Sequence, residues 1–325
     1  HPIWVTTCLC LVILASTISM TLLSVWWLNR RAFDVAMSPD RSEAYIVSYV
    51  GRRLTTFRGG GEKTITAVHK VHLEGGRWLA LFCYDPSSSA YPGRIVAIDP
   101  SRPHDVLWAT APSDAREFRA PDAALHSPRD QYSPCPETWA VCDVFSDPGP
   151  EVITTFTHHL FSPCSLRVIN TLSGDVLFEA WHDGQLRSVH WLEEPRLIVG
   201  LGLGNRVTSA DLGFPAEVDV EVAGSGLANV VFAIRPERGV RQVHWIGSPD
   251  STSPCRAEWY KALGPLEAHQ SVWLRSVGPS SSVHDRGSTF VMTVFRQDQN
   301  SNPGGSYTIA LDASGAINGR YASGT

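Results

Sequence analysis

The first thirty positions form one continuous apolar pattern that ends at a basic step. Residues Ile3–Leu28 include 26 consecutive positions without a charged side chain, and Arg30-Arg31 follow them. A helix rises about 1.5 Å per residue, so the run is longer than the roughly 30 Å hydrocarbon core of a bilayer. Trp26-Trp27 stand near its end, where amphipathic rings favour the membrane–water interface. The pattern predicts one transmembrane helix, with its basic stop, over residues 1–31.

Two further features bear on the membrane prediction. A cleaved signal peptide is the alternative, but the run is about twice as long as a usual signal-peptide core of roughly 7–15 residues, and no basic segment precedes it. The chain begins with His1-Pro2, which indicates the C-terminal portion of a longer protein. The soluble part is expected outside the cytoplasm. Arg30-Arg31 alone favour the cytoplasmic side, so the sequence leaves the orientation open.

A three-strand pattern repeats along the soluble part. Each copy has an apolar strand, a polar loop, a second strand, a tight turn and a third strand. The strands are rich in Val, Ile, Phe, Tyr and Thr, and the turns carry Asp, Ser and Gly, as β-structure requires. Three copies follow this order, namely Trp78–Ala111, Glu151–His182 and Thr289–Ser323. Repetition of one unit predicts an array of similar sheets.

A fourth copy is interrupted. Pro195–Gly204 supplies its first strand, and Asn229–Gly247 is predicted to supply the second and third. The insertion Asn205–Gly226 separates them, and Ala44–Phe57 is predicted as part of a further copy. A partner strand is expected before each unit, at Ala67–Leu73, Thr138–Phe145, Leu186–Leu192 and Ser271–Val277. The natural unit is therefore a four-stranded meander.

The chain is predicted to be all-β, a β-propeller-like array of four-stranded antiparallel meanders after one N-terminal transmembrane helix. Single sheets of this kind cannot bury both faces, so neighbouring units have to stack. β-Sandwich domains are the alternative. The predicted boundaries are a connecting segment or partial blade at 32–66 and the repeat domain at 67–325. The best short helical candidate in that domain is Arg256–His269, which Gly264-Pro265 interrupts.

The units resemble the FG-GAP and VCBS-like repeats of large bacterial surface and membrane-anchored proteins. That family carries loops of the Asp-x-Asp-Gly-Asp-Gly type before a strand, and residues 143–151 look like a degenerate copy. Trp191–Leu197 occupies the same place in the next unit. The resemblance implies a β-propeller built from these repeats. Calcium requires several oxygen ligands at close spacing, and the loop keeps only Asp143, Asp147 and Glu151, so no calcium is predicted.

Charge and cysteine content exclude some classes of protein. Lys and Arg number 27 against 32 Asp and Glu, a net charge of −5, which disfavours a nucleic-acid partner. Charged residues make up 18% of the chain, too few for a disordered or coiled-coil protein. Five cysteines lie outside the N-terminal run, an odd number for a complete disulfide set. Buried thiols are expected, with a Cys135–Cys142 disulfide as the alternative.

No motif of known chemistry is complete. Gly200–Gly204 has the wrong glycine spacing for a dinucleotide loop and no helix after it, so a strand with close backbone approach is expected. Gly59–Thr64 likewise fails the spacing of a phosphate loop. The chain has neither a Gly-x-Ser-x-Gly elbow nor a His-Glu-x-x-His sequence. We therefore predict a non-enzymatic protein without a cofactor.

Histidines give only a weak case for a metal. His158, His182 and His190 are the densest group and could meet across neighbouring strands, but their spacing lacks the tight pattern of metal sites. His158 and His159 cannot easily share one ion, since adjacent strand residues point to opposite faces. Structural roles are expected and no metal site is predicted.

The insertion is the candidate site for a partner. It carries four acidic residues against the single Arg206, which would suit a cationic ligand, and long loops on rigid scaffolds often carry binding. The acidic candidates are Asp211, Glu217, Asp219 and Glu221. The predicted function is a membrane-anchored ligand- or protein-binding module, the sensor or scaffold part of a longer protein. A membrane-tethered hydrolase with its active site on the propeller loop face is the alternative.

Overall fold

The computed structural model describes most of the chain. The backbone is described for residues 2–102, 104–110, 132–158, 164–182, 184–205, 227–245, 257–265, 271–279, 290–297, 303–311 and 317–322. Residues 206–226 fall outside this description, and with them the acidic candidates Asp211, Glu217, Asp219 and Glu221. Their prediction as a ligand site therefore stays a prediction.

One helix and twenty strands make up the described residues. The helix α1 spans Pro2–Arg30, and a 3-10 turn lies at Glu74–Gly76. The strands are β1 Ala32–Met37, β2 Glu43–Ser48, β3 Arg53–Arg58, β4 Ile65–His72, β5 Trp78–Tyr84, β6 Ile95–Ile98, β7 Val106–Ala109, β8 Tyr132–Cys142, β9 Glu151–His158, β10 Cys164–Asn170, β11 Val176–His182, β12 Leu186–Leu192, β13 Leu197–Asn205, β14 Leu227–Ile234, β15 Arg241–Trp245, β16 Ala257–Pro265, β17 Ser271–Pro279, β18 Phe290–Gln297, β19 Pro303–Leu311 and β20 Ile317–Ala322.

The strands of the described ranges form five sheets in chain order. Sheet A contains β1–β2–β3, sheet B contains β4–β5–β6–β7, and sheet E contains β17–β18–β19–β20, each a simple meander. Sheet C has the order β15-β11-β10-β9-β8, and sheet D has β12-β13-β14-β16. Four of the five are wholly antiparallel, and sheet C gains one parallel pair. The first strands touch in succession, β1 with β4, β4 with β8, β8 with β12 and β12 with β17.

The predicted repeats are confirmed as strand units. Trp78–Ala111 becomes β5 to β7, Glu151–His182 becomes β9 to β11, and Thr289–Ser323 becomes β18 to β20. The expected partner strands are β4, β8, β12 and β17. Within sheet C, all seven residues of β10 are buried, because the strand lies between two others and both sheet faces are covered. The mostly β prediction therefore holds for the described residues.

The interrupted unit is completed differently from the prediction. Its third strand is β16, which pairs antiparallel with β14, as in Phe232↔Tyr260. The predicted third strand instead becomes β15, which joins β11 of sheet C in parallel, with Trp181↔Trp245 as partners. The helical candidate Arg256–His269 is also wrong, since it contains β16. Pairing with the apolar strand β14 overrides a weak local helical pattern that Gly264-Pro265 already interrupts.

Apolar side chains fill the spaces between successive sheets. One cluster joins sheets A and B, with Ile46 against Phe82, and a second joins sheets B and C, with Leu81 near Phe156. A third cluster lies between sheets C and D and includes Phe232. Sheets A to D are thus packed against their neighbours along the chain, which is how stacked repeat units share a core.

The N-terminal helix forms as predicted, but its predicted membrane span is not confirmed. In the part of the chain that the structure describes, no helix is both long and apolar enough to cross a membrane. The side chains of α1 are described from Ile13 to Leu28.

Candidate functional site

An exposed aromatic surface lies where α1 meets sheet A. We call it the junction patch and define it by Trp27, Phe33, Tyr49 and Val50. The rings of Trp27 and Tyr49 stack with centroids 6.2 Å apart, and Phe33 lies 4.3 Å from Tyr49. All four side chains are 42–53% exposed. Because aromatic side chains in contact usually lie in a core, a contiguous exposed group of this kind indicates an interaction surface.

A rigid turn presents the two patch residues of sheet A. Tyr49 and Val50 occupy the connection between β2 and β3, where Gly51 has a φ of +76°. The amide of Gly51 donates to the carbonyl of Ser48, and the amide of Arg52 donates to the Ser48 hydroxyl at 3.1 Å. The positive φ suits glycine, so the turn is held in one conformation and its two large side chains point outward.

The patch continues into the apolar surface of α1. Two of its exposed side chains, Trp26 and Met20, show 54% and 66% of their surface. The other large exposed residues of the helix are Ile13, Leu14, Ile18, Leu22, Leu23, Val25 and Trp27. A helix that is apolar on every side is normally covered by protein or lipid. The C-terminal end of α1 contacts sheet A near β2, where Trp27 stacks with Tyr49.

Cationic side chains surround the junction patch. The guanidinium of Arg31 lies 4.5 Å from the ring centre of Trp27. Lys70 of β4 donates to the carbonyl oxygen of Phe33, and its ammonium lies 4.7 Å from the Phe33 ring. Arg52 and Arg53 are exposed in the turn itself. The surface therefore combines aromatic rings with cations, and Arg31 and Lys70 each lie over one of its rings.

Sequence reasoning missed this surface because its parts are far apart in the chain. Phe33 begins β1, Tyr49 follows β2, and Lys70 lies in β4. One signal was available, since Tyr49-Val50 places two large side chains directly before Gly51, at a turn where polar residues are the rule.

The degenerate loop of residues 143–151 is an acidic turn. Glu151 is fully buried, and its Oε2 accepts from the amide of Val144 at 2.8 Å, while Oε1 has no hydrogen-bond partner. Burial raises the pKa of the Glu151 carboxyl, and the carboxylates of Asp143 and Asp147 add to this effect. The hydrogen bond from the Val144 amide holds Oε2 of Glu151 in place, so the side chain anchors the turn that precedes β9.

Another carboxylate of this turn, Asp147, is paired with an arginine from the connection between β14 and β15. Asp147 Oδ1 lies 2.6 Å from Nη1 of Arg238, although Oδ2 has no partner. Asp143 instead accepts from the amide of Ser146 at 2.7 Å. Of the residues described, no group of three or more His, Cys, Asp or Glu could hold a metal ion. The ion pair of Asp147 joins this turn to the connection between β14 and β15.

The three histidine candidates do not form a described site. His182 is fully buried, with Nδ1 2.9 Å from the carbonyl of Gly184 and its ring 5.3 Å from Phe232. His190 lies in β12, where burial lowers the pKa of its imidazole and Nε2 has no partner. His158 ends β9, and its side chain lies outside the description. The candidates are distributed over sheets C and D.

The two cysteines that could have formed a disulfide are free thiols. Cys135 and Cys142 lie in the same strand, β8. Seven residues of extended chain separate them by on the order of 20 Å, and a disulfide needs Cα atoms within about 7 Å. Burial raises the pKa of the Cys142 thiol to about 12. The disulfide alternative is therefore wrong.

The glycine-rich segment is a strand, as predicted. Gly200 and Gly202 lie in β13, between β12 and β14. A Cβ on Gly200 would stand 2.3 Å from the Phe232 ring, and one on Gly202 would stand 2.3 Å from the carbonyl oxygen of Gln185. The glycines therefore permit close packing within sheet D, and no dinucleotide loop forms.

Comparison with known proteins shows distant likeness to several solved structures. Hydrazine synthase of Kuenenia stuttgartiensis is 12% identical, with a TM-score of 0.45, over 88% of this chain and 64% of its own. A quinohemoprotein alcohol dehydrogenase of Pseudomonas putida HK5 is 11% identical, with a TM-score of 0.42. The match covers 89% of this chain and 40% of the dehydrogenase. A GH43 β-1,3-galactosidase is 7% identical, with a TM-score of 0.36. The match covers 91% of this chain and 88% of the galactosidase.

The chain spans less than two thirds of the length of the first two of these proteins. No protein-family model matches the chain, and no curated protein matches it. The resemblance to FG-GAP and VCBS-like repeats is accordingly not confirmed by a family match.

Proposed function

We propose that this protein is a binding module of stacked, propeller-like sheets that attaches to a membrane through α1. Two features of the fold support the propeller-like arrangement. The sheets follow one another as meanders, and the first strand of each touches the first strand of the next. Apolar clusters fill the spaces between sheets A and B, B and C, and C and D, as radial stacking requires.

The exposed apolar surface of α1 is the observation that carries the membrane proposal. Leu22 and Leu23 are 64% and 60% exposed, and the hydroxyl of Thr21 is turned back to the carbonyl of Thr17 at 2.9 Å. Threonine hydroxyls bonded to their own helix leave no side-chain donor that needs water. Transfer of such a surface from water to hydrocarbon is favourable by about 25 cal/mol per Å².

Detergent phase partitioning of the full chain tests the attachment. The full chain should collect in the detergent-rich phase, and the double variant Ile18→Glu/Leu22→Glu should move to the aqueous phase, because two charges on the helix oppose burial in an apolar phase. The matched control is Val106→Glu/Leu107→Glu, which places the same charges on exposed apolar positions of β7. Recovery of the unaltered chain in the aqueous phase would overturn the proposal.

The binding role rests on the segment between β13 and β14. Asn205 and Leu227 are partners in the antiparallel register of sheet D, so both ends of the segment are fixed side by side. A rigid base of this kind allows the intervening residues to vary without cost to the sheet. The four acidic candidates of that segment make a cationic ligand or protein surface the proposed partner.

A further inference from the structure

We infer that the junction patch and its cations form a docking surface for anionic phospholipid headgroups. The inference rests on the proposed membrane attachment and adds the lipid class to it. Its occupant is the lipid surface itself, because the patch continues directly from the exposed apolar face of α1. The backbone of Arg31 still bonds to the carbonyl of Trp27 at 3.1 Å, and β1 begins at the next residue.

The junction patch lies where the C-terminal end of α1 meets sheet A. Ala32 pairs with Ser48, so the sheet A end that carries Tyr49 lies beside the last turn of α1. The stacked pair of Trp27 and Tyr49 joins the two elements. A bilayer that covers the apolar helix therefore has its headgroup layer at this end of sheet A. Amphipathic Trp and Tyr rings are enriched at that layer.

The charges at this end of the sheet are mostly positive. Arg31 and Arg52 are exposed there, and Lys70 lies against the Phe33 ring. Arg53 begins β3 at this end, but its guanidinium lies over the Tyr45 ring, and its Nη1 is 3.9 Å from Glu43 Oε2. The carboxylate at the same end is Asp34, whose Oδ1 accepts from the amide of Val35 at 2.9 Å. Cations that face an anionic leaflet each strengthen attachment by about fivefold. Their guanidinium groups are also suited to phosphate.

The opposite end of sheet A differs in charge, which gives a control within the same sheet. Glu43 accepts from Arg58 Nε at 3.1 Å, and Asp40 is bonded by the hydroxyls of Ser38 and Ser42. The two ends thus carry similar numbers of arginines, but the carboxylates at the far end offset them. Attraction to an anionic surface is expected at the junction end alone.

Competition between two vesicle populations tests the inference with the full chain. Limiting protein is offered dense vesicles of phosphatidylcholine with phosphatidylserine together with light vesicles of phosphatidylcholine alone, and the two are separated by density. The unaltered chain should favour the anionic vesicles by about tenfold or more at low salt. The double variant Arg31→Gln/Arg52→Gln should lower this ratio by at least about fivefold, and high salt should bring it close to one.

Two further variants separate the effect of charge from the effect of apolar contact. Arg41→Gln/Arg58→Gln removes the same charge from the far end of sheet A and should keep the preference. Tyr49→Ser/Val50→Ser should reduce capture by both vesicle types alike, since it removes apolar contact. Equal distribution of the unaltered chain between the vesicles, or an unchanged ratio in Arg31→Gln/Arg52→Gln, would overturn the headgroup inference. Capture by neither population would instead overturn the proposed attachment.

Discussion

The indole Nε1 of Trp108 donates a hydrogen bond of 2.9 Å to the carbonyl oxygen of Thr171. Trp108 belongs to β7 of sheet B, and Thr171 lies in the turn between β10 and β11 of sheet C. Gly174 of the same turn leaves room for the ring, since a Cβ there would stand 2.6 Å from Trp108 Cδ2. One buried tryptophan therefore connects two successive sheets through a turn that only a glycine fits.

Substitution of Gly174 should destabilise the protein more than substitution of an equally strained glycine. Gly174→Ala introduces a Cβ at a φ of +77° and against the Trp108 ring, with an expected loss of about 2–4 kcal/mol in the free energy of unfolding. Gly239 has a φ of +82° and no atom within 4 Å of its would-be Cβ, so Gly239→Ala should cost only about 1 kcal/mol. Chemical denaturation measures both, and equal losses would refute the contact with Trp108.

His69 should make stability depend on pH below neutrality. Its ring stacks on Trp139 with centroids 3.9 Å apart, and burial lowers the pKa of its imidazole to about 4. The unfolded chain binds this proton from about pH 6.5 downward, whereas the folded chain does not. Stability from neutral His69 is thus full above pH 6.5 and is lost as the pH falls towards 4, by roughly 2–3 kcal/mol.

The substitution His69→Phe tests this pH dependence, because phenylalanine keeps the stack and cannot be protonated. Denaturation between pH 4 and 7 should show a shallower slope for His69→Phe than for the unaltered protein. His72 is exposed in the same strand, and His72→Gln serves as the control. A slope in His69→Phe equal to that of the unaltered chain would show that another group is responsible.

Glu151 should make stability depend on pH in the direction opposite to that of His69. Burial raises the pKa of its carboxyl, so the folded state holds the proton to higher pH than the unfolded state does. Its favourable contribution is full below the ordinary value near 4.5 and is lost as the pH rises through the raised pKa. Glu151→Gln keeps an acceptor for the Val144 amide and removes the charge, and should stabilise the protein at pH 7 by about 1 kcal/mol.

The control for Glu151 is Glu258, which forms an exposed pair with Arg235 at 3.0 Å. Glu258→Gln should change the free energy of unfolding by less than about 1 kcal/mol, as is usual for exposed ion pairs. Thermal denaturation at pH 5 and pH 7 separates the two variants. A large loss of stability in Glu151→Gln at pH 7 would mean that the charged form is the stabilising one.

Most of the strand order could be predicted because its signals are local. Turn residues and runs of β-branched and aromatic side chains define β5 to β7 and β9 to β11 within stretches of about thirty residues. Pairings made by tertiary contact carry no such signal. β15 was assigned to the wrong sheet, because nothing in its own residues shows that Trp181 is its partner. The junction patch was missed for the same reason.

The segment between β13 and β14 should be replaceable without loss of fold. Because Asn205 and Leu227 are paired in register, a short Gly-Ser linker in place of Thr208–Glu221 can join the strands without strain. The melting temperature should change by no more than a few degrees, and binding of cationic partners should disappear. A pull-down in which the shortened chain keeps every partner of the intact one would remove the binding role from this segment.

A screen of the intact chain against ester, phosphate and glycoside substrates bears on the competing hydrolase interpretation. Turnover that survives purification and falls when a described residue is replaced would favour the enzyme. Loss of partner binding in the shortened chain, with no turnover in the intact one, would favour the binding module.

Strand β15 has a consequence for how fragments of this protein behave. It lies along the outer side of β11, where the amide of Gly239 donates to the carbonyl of Leu177 and the amide of Glu179 donates to the carbonyl of Val240. A piece of the chain that ended before residue 239 would leave these β11 groups without partners. An open strand edge is a template for pairing with another molecule, so such a piece should aggregate more readily than the intact chain under the same conditions.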